Sequence, residues 1–220
     1  MTVSKHLMLD LETFALSPDA FVWEVGLMPF KLDMRDGNML ATLGPADRFI
    51  LNPFRHHAER IDEKTVQWTR ENRKDFIAGV ICDAVSGHYA DGRAATVSTI
   101  VKHHGGNWLD NVPLLHAAIE ACFAAEVPQH DSPRNFYIWA RNAAFDFPIL
   151  ENLFKGAGLK LPWHRRQQCC VYTAQNMALM QGFVPAVTEA THQAADDCEK
   201  QVQEVIAALS YLHKSGVAYV

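Results

Sequence analysis

Five residues in this sequence could do chemistry together: Asp10, Glu12, Asp146, His192 and Asp197. Asp10 and Glu12 stand in Leu9-Asp10-Leu11-Glu12-Thr13, at the end of an apolar run. Residues two apart on a strand share a face, so both carboxylates point one way and Leu9 and Leu11 point the other. Side-by-side carboxylates repel unless a cation lies between them. Hard divalent cations such as Mg²⁺ take oxygen ligands of this kind. A lone D-x-E triplet is most often a pair of solvated turn residues, but this one closes a buried strand.

Asp146 lies in Asn142-Ala143-Ala144-Phe145-Asp146-Phe147-Pro148. The chain passes there from strand to helix, and the helix dipole favours an anion in the first turn. Pro148 is tolerated that early. His192 and Asp197 lie in Thr191-His192-Gln193-Ala194-Ala195-Asp196-Asp197-Cys198. Asp197 falls at the edge of a helix's buried stripe, with Asp196 on the more exposed side. His192 precedes that helix and can project from a loop. An imidazole that titrates near neutrality suits general-base work.

The elements that must position these residues follow from the pattern. His6 to Leu11, Phe21 to Phe30 and Arg48 to Leu51 read as three early strands, the last stopped by Asn52-Pro53, arranged as an antiparallel meander. Asp62 to Arg73 reads as a helix with Asp62 as N-cap, and Val112 to Ala125 as an amphipathic helix. Strand Asn135 to Ala140, helix Ala144 to Lys155, strand Gln167 to Val171 and helix Thr173 to Met180 follow. The last helix runs from Ala194 to about His213, with Cys198, Val202, Val205, Leu209 and Leu212 as its apolar stripe. This order predicts an α/β mixed sheet with helices on its faces.

The bulk numbers bound the rest. The 220 residues are 49% hydrophobic, which suits one domain spanning 1–220. Twenty basic against 25 acidic residues leave a net charge of −5, which is not the basic face of a duplex-coating protein. Metal ions can hold a phosphodiester in place of Lys and Arg. Five cysteines, no C-x-x-C pair and no signal peptide favour free thiols in a cytoplasmic compartment. No apolar run reaches the ~20 residues of a membrane span. His56-His57 and His103-His104 lack further ligands at useful spacing and read as loop residues.

Taken in order, the D-x-E triplet, the N-x-x-F-D segment and the H-x-x-x-x-D segment resemble the DEDDh 3′→5′ exonuclease superfamily, which includes proofreading exonucleases and ribonuclease T. The likeness spans almost the whole chain. Trp23-Glu24-Val25-Gly26 resembles the family's second strand, and the segment Ile61 to Trp68 that of a bacterial and phage ribonuclease-T-like branch. Tyr172-Thr173 stands where many members carry Asp-Thr, and the stretch 76–111 resembles no family segment, as a branch-specific insertion would.

The resemblance implies a ribonuclease H-like fold with a five-stranded mixed sheet flanked by helices. It implies a pair of Mg²⁺ ions, with Mn²⁺ as a substitute. Asp10, Glu12 and Asp197 would hold the one that activates water, Asp10 would bridge to the other, and Asp146 would support the latter. His192 would be the general base, and the substrate a single-stranded DNA or RNA 3′ end cut to nucleoside 5′-monophosphates. Homodimers also occur in that superfamily.

Candidate substrate contacts are Thr13, Phe14 and Asn142; Phe14 could stack on a terminal base or equally pack under its own loop. Arg141, Lys155, Lys160, Arg165 and Arg166 could meet the phosphate backbone. The rivals on this fold are an inactive nucleic-acid-binding module, which a broken carboxylate set would mark, and an endonuclease.

Overall fold

The computed structural model describes residues 3–35, 38–51, 60–73, 75–86, 111–124, 136–186 and 190–216. Strand β1 (Val3–Thr13) pairs antiparallel with β2 (Val22–Arg35) and parallel with β5 (Phe136–Ala140), and β5 pairs parallel with β6 (Gln168–Cys170). On the other side of β2 lie β3 (Asn38–Leu43) and β4 (Asp47–Ile50), both antiparallel to it. The sheet is thus mixed, as predicted, with six strands rather than five. The added strand is β3. It and β4 occupy successive stretches of the same β2 edge, with Gly44-Pro45 between them. There the Gly44 N–H reaches the Pro29 carbonyl at 2.7 Å, and a Cβ would lie 2.7 Å from the Pro29 ring.

The helices are α1 (Glu63–Asn72), α2 (Phe76–Val85), α3 (Asn111–Ala124), α4 (Ala143–Gly156), α5 (Val171–Leu179) and α6 (Ala194–Lys214). Asp62 caps α1 by accepting from the Lys64 N–H at 2.9 Å, as its type and place predict. Within the unassigned stretch 76–111, residues 76–85 form α2, capped by Asp75 through the Ala78 N–H at 2.9 Å. Residues 87–110 of that stretch lie outside the described residues, as do His56-His57 and His103-His104. Among the described residues, no helix is long and apolar enough to cross a membrane.

The sheet's two faces explain how β1 can be both core and site. Leu7, Leu9 and Leu11 pack with α3 and α4 residues such as Leu115, Ile119 and Leu150. Met8, on the opposite face, packs with Cys198, Val202 and Val205 of α6. The period of two therefore turns Asp10 and Glu12 toward α6. Burying about 25 cal/mol for each Å² of such apolar surface holds α6 on the sheet, and with it Asp197.

Candidate active site

Three elements bring the acids together. Asp10 and Glu12 end β1, Asp146 sits in the first turn of α4, and Asp197 sits in the first turn of α6. The approach of α6 depends on Gly26, which pairs with Asp10 across the ladder. A Cβ at Gly26 would lie 2.3 Å from the carbonyl carbon and oxygen of Ala194 and 2.6 Å from the Ala195 nitrogen. No real side chain fits there. The glycine lets the end of α6 lie directly against β2, which sets how far Asp197 stands from β1.

Asp197 is buried and accepts three hydrogen bonds from the loop before α6. They come from the Thr191 N–H at 2.8 Å, the Thr191 hydroxyl at 2.7 Å and the His192 N–H at 2.9 Å. His192 has a φ of 55°, in the left-handed region that non-glycine residues rarely adopt. That geometry turns the imidazole toward β1. Glu12, His192 and Asp197 each bring a ligand atom within 4.8 Å of the others. The indole of Trp68, half exposed on α1, meets the His192 ring edge-on with centroids 4.7 Å apart.

Asp10 accepts from the side-chain amide of Gln201 at 2.6 Å. Gln201 is almost wholly buried on α6, one turn beyond Asp197. Asp146 is 4% exposed and accepts from the Asn142 N–H at 3.2 Å. Burial raises all three carboxyls of this group. It pushes Asp10 well above the usual carboxylate range, with the charges of Asp146 and then Asp197 adding to the effect. It takes Glu12 to about 9, helped by Asp10 and opposed by the Arg73 guanidinium. It takes Asp146 to about 7 against the hydrogen bond from Asn142 and the charge of Arg141. Acids gathered where they resist ionising fit a site that receives cations. The carboxylate oxygens of Asp10, Glu12, Asp146 and Asp197 suit Mg²⁺ or Mn²⁺.

The proposed substrate contacts fare differently. Phe14 has no exposed surface and stacks between Phe21 and Trp23, each 5.8 Å away. Its ring belongs to the core under the β1–β2 loop and is not open to a base, which corrects the stacking expectation. Thr13 is buried and its hydroxyl donates to the Ala15 carbonyl at 2.8 Å, shaping the turn after Glu12. Asn142 is exposed at the N-cap of α4, and its side chain makes no capping bond. Arg141 donates to Glu204 at 2.5 Å, and Arg165 to Glu151 at 3.1 Å. Lys155, Lys160 and Arg166 are exposed.

Sequence reasoning missed Gln201 and Arg73. Gln201 carried a signal, since it lies one turn after Asp197 on the same helical face. Arg73 carried none, because its contacts to the site, Glu12 and Glu24, arrive from distant strands.

The sequence matches, over residues 5–209, the family described as the 3′-5′ exoribonuclease Rv2179c-like domain. The chain belongs to that family. No curated protein matches it by sequence. Among solved structures, cell-death related nuclease 4 (CRN-4) superposes with a TM-score of 0.52 at 11% identity, over 97% of this chain and 64% of that one. A moderately thermophilic exonuclease I from Methylocaldum szegediense gives 0.50 at 10% identity, over 96% of this chain and 40% of that one. At such identity the likeness shows the shared fold, and this chain spans less than two thirds of either structure's length. The ribonuclease H-like fold and the exonuclease-superfamily resemblance of the motifs thus agree with the family.

Proposed function

We propose that this chain is a divalent-metal-dependent 3′→5′ exonuclease acting on single-stranded nucleic acid ends. The observation that carries the reading is the meeting of Glu12, His192 and Asp197 within 4.8 Å at the end of β1, beside Asp10 and Asp146. Asp10, Glu12, Asp146 and Asp197 would hold a pair of Mg²⁺ ions. Bound there, such cations neutralise phosphate oxygens and the leaving 3′ oxygen of an in-line displacement.

The chain's own residues do the rest. Asp197 fixes the loop that presents His192. The imidazole takes a proton from the attacking water as its oxygen bonds to phosphorus. The phosphorus bond to the 3′ oxygen of the penultimate nucleotide breaks, that oxygen takes a proton from solvent water, and a nucleoside 5′-monophosphate leaves. Gln201 steadies Asp10 through one hydrogen bond at 2.6 Å. The family's name makes RNA the first substrate to try, with DNA beside it.

The test uses 5′-labelled single-stranded RNA and DNA with Mg²⁺ or EDTA, and Asp10→Ala and His192→Ala alongside. A Mg²⁺-dependent ladder shortening from the 3′ end, absent in Asp10→Ala, is the expected result. Cleavage of a covalently closed circle would instead make it an endonuclease.

A further inference from the structure

Glu12 and Glu24 stand directly opposite each other on β1 and β2. Carboxyls so placed repel when both are ionised, and Glu24 is wholly buried. The fold answers with two arginines. Arg48 grips Glu24 with both ends of its fork, Nε to Oε1 at 2.8 Å and Nη2 to Oε2 at 3.1 Å. Arg73, from the α1–α2 junction, donates to Glu24 Oε2 at 3.0 Å with its own side chain 2% exposed. The Ala194 N–H, at the start of α6, completes the set by donating to Glu24 Oε1 at 3.1 Å. Glu24 therefore touches both halves of the site: the helix that carries Asp197 and the arginine beside Glu12.

Arg73 is shared unequally among three carboxylates. Nε donates to Asp75 at 3.0 Å and Nη2 contacts both Asp75 and Glu24. Among the described residues Nη1 has no hydrogen-bond partner, and it lies 3.6 Å from Glu12 Oε1. The guanidinium is thus anchored on its far side and meets Glu12 as a 3.6 Å ion pair without a hydrogen bond. A buried cation this close would compete with a metal for that carboxylate if it moved nearer.

Resting on the metal-dependent reading above, we infer that Glu24 and Asp75 are positioning residues that hold the Arg73 guanidinium back from Glu12, leaving that carboxylate to a divalent cation. Glu24→Gln keeps the side chain's size and removes its charge. Arg73 then has Glu12, 3.6 Å from its Nη1, as its nearest carboxyl besides Asp75, and the metal must displace it. Asp75→Asn loosens the other anchor and keeps the cap of α2, since Asn is as good an N-cap as Asp.

The experiment is calorimetric titration of Mg²⁺ into the whole protein without substrate, for wild type, Glu24→Gln, Asp75→Asn and Glu24→Gln with Arg73→Met. Each single variant is expected to raise the Mg²⁺ Kd roughly tenfold. The added Arg73→Met is expected to restore affinity to within about threefold of wild type, since it removes the competitor. A purely structural network predicts the opposite for the double variant, a further loss, and that result would overturn the inference. Unchanged Kd in both single variants would overturn it as well. If Glu24→Gln does not fold, Asp75→Asn and its own Arg73→Met double decide the matter. A wild type that takes up no Mg²⁺ would sink the functional reading itself, which separates that failure from this one.

Discussion

Asp197 accepts the backbone N–H of His192 at 2.9 Å, so the last acid of the site and its imidazole are set by one short loop. The two should nevertheless fail differently. His192→Ala removes the proposed proton acceptor and leaves the Asp197 carboxylate in place. Activity is expected to fall by roughly 10²–10⁴-fold, with Mg²⁺ affinity within about threefold of wild type. Asp197→Ala removes a proposed ligand and three hydrogen bonds to Thr191 and His192. Both activity and Mg²⁺ binding should then be lost. Single-turnover rates beside calorimetric Kd values check the pair. An equal loss of Mg²⁺ affinity in both variants would make His192 a ligand rather than a base.

The raised acids make stability and metal binding depend on pH in opposite directions. Glu12 is pushed to about 9 and Asp146 to about 7, both mainly by burial. A carboxyl whose folded pKa exceeds its unfolded value binds more protons when folded. Its stabilising contribution is complete below the unfolded pKa, about 4. It is lost as pH rises through about 7 for Asp146 and on toward about 9 for Glu12. Metal-free protein should therefore melt at falling temperature across that range, and Asp146→Asn should flatten the part between about pH 4 and about 7. Mg²⁺ competes with those protons, so its affinity should rise over the same range. Melting curves in EDTA and in Mg²⁺ read both effects. A Mg²⁺ Kd that does not change between about pH 6 and pH 8 would sink this account.

Most of the frame was legible in the sequence because its signals are local. The alternation Leu7-Met8-Leu9-Asp10-Leu11-Glu12 announces a strand with both faces used, and the α6 stripe announces a helix lying on a sheet. The D-x-E triplet and the Asp146 and Asp197 helix starts were readable for the same reason. Strand β3 was not, since Asn-Met-Leu-Ala-Thr-Leu carries little β-branched or aromatic character and takes its form by pairing with the second half of β2. The sequence leaves Phe14 open between the two roles, because a phenylalanine beside catalytic-type acids looks the same whether it faces solvent or core. Its burial is decided by Phe21 and Trp23 across the turn. The Glu24–Arg73 contact was invisible, being made between residues 49 apart.

Gly26 sets the distance between α6 and β2, so its substitution should act on the site from outside it. In Gly26→Ala the new methyl would meet Ala194 backbone atoms at 2.3 Å. Backbone cannot swing aside as a side chain does, so the first turn of α6 must lift. Overpacking of this kind costs typically ~1–3 kcal/mol. The lift carries Asp197 and the His192 loop away from Glu12. Gly26→Ala is therefore expected to fold with a lowered melting temperature and to gain much less from added Mg²⁺ than wild type does. Thermal melts with and without Mg²⁺ check this. A destabilised variant whose Mg²⁺ response is undiminished would show that the spacing at Gly26 does not govern the metal ligands.

Phe14 offers the sharpest contrast between a core residue and a substrate contact. Stacked between Phe21 and Trp23 with no exposed surface, its ring stabilises the turn that follows Glu12. Phe14→Ala should cost about 3–5 kcal/mol through the lost contacts and the cavity left behind. Phe14→Leu refills most of that space and should cost far less, about 1.5 kcal/mol or under. A ring that stacked on a base would contribute roughly 1–3 kcal/mol per base to binding, and leucine could not replace it. Denaturant unfolding together with the KM for a short single-stranded oligonucleotide separates the two roles. The expected pattern is a large stability loss in Phe14→Ala and an unchanged KM in Phe14→Leu. A tenfold higher KM in Phe14→Leu at near-wild-type stability would instead put the ring against the substrate, which would require the β1–β2 turn to open when a strand binds.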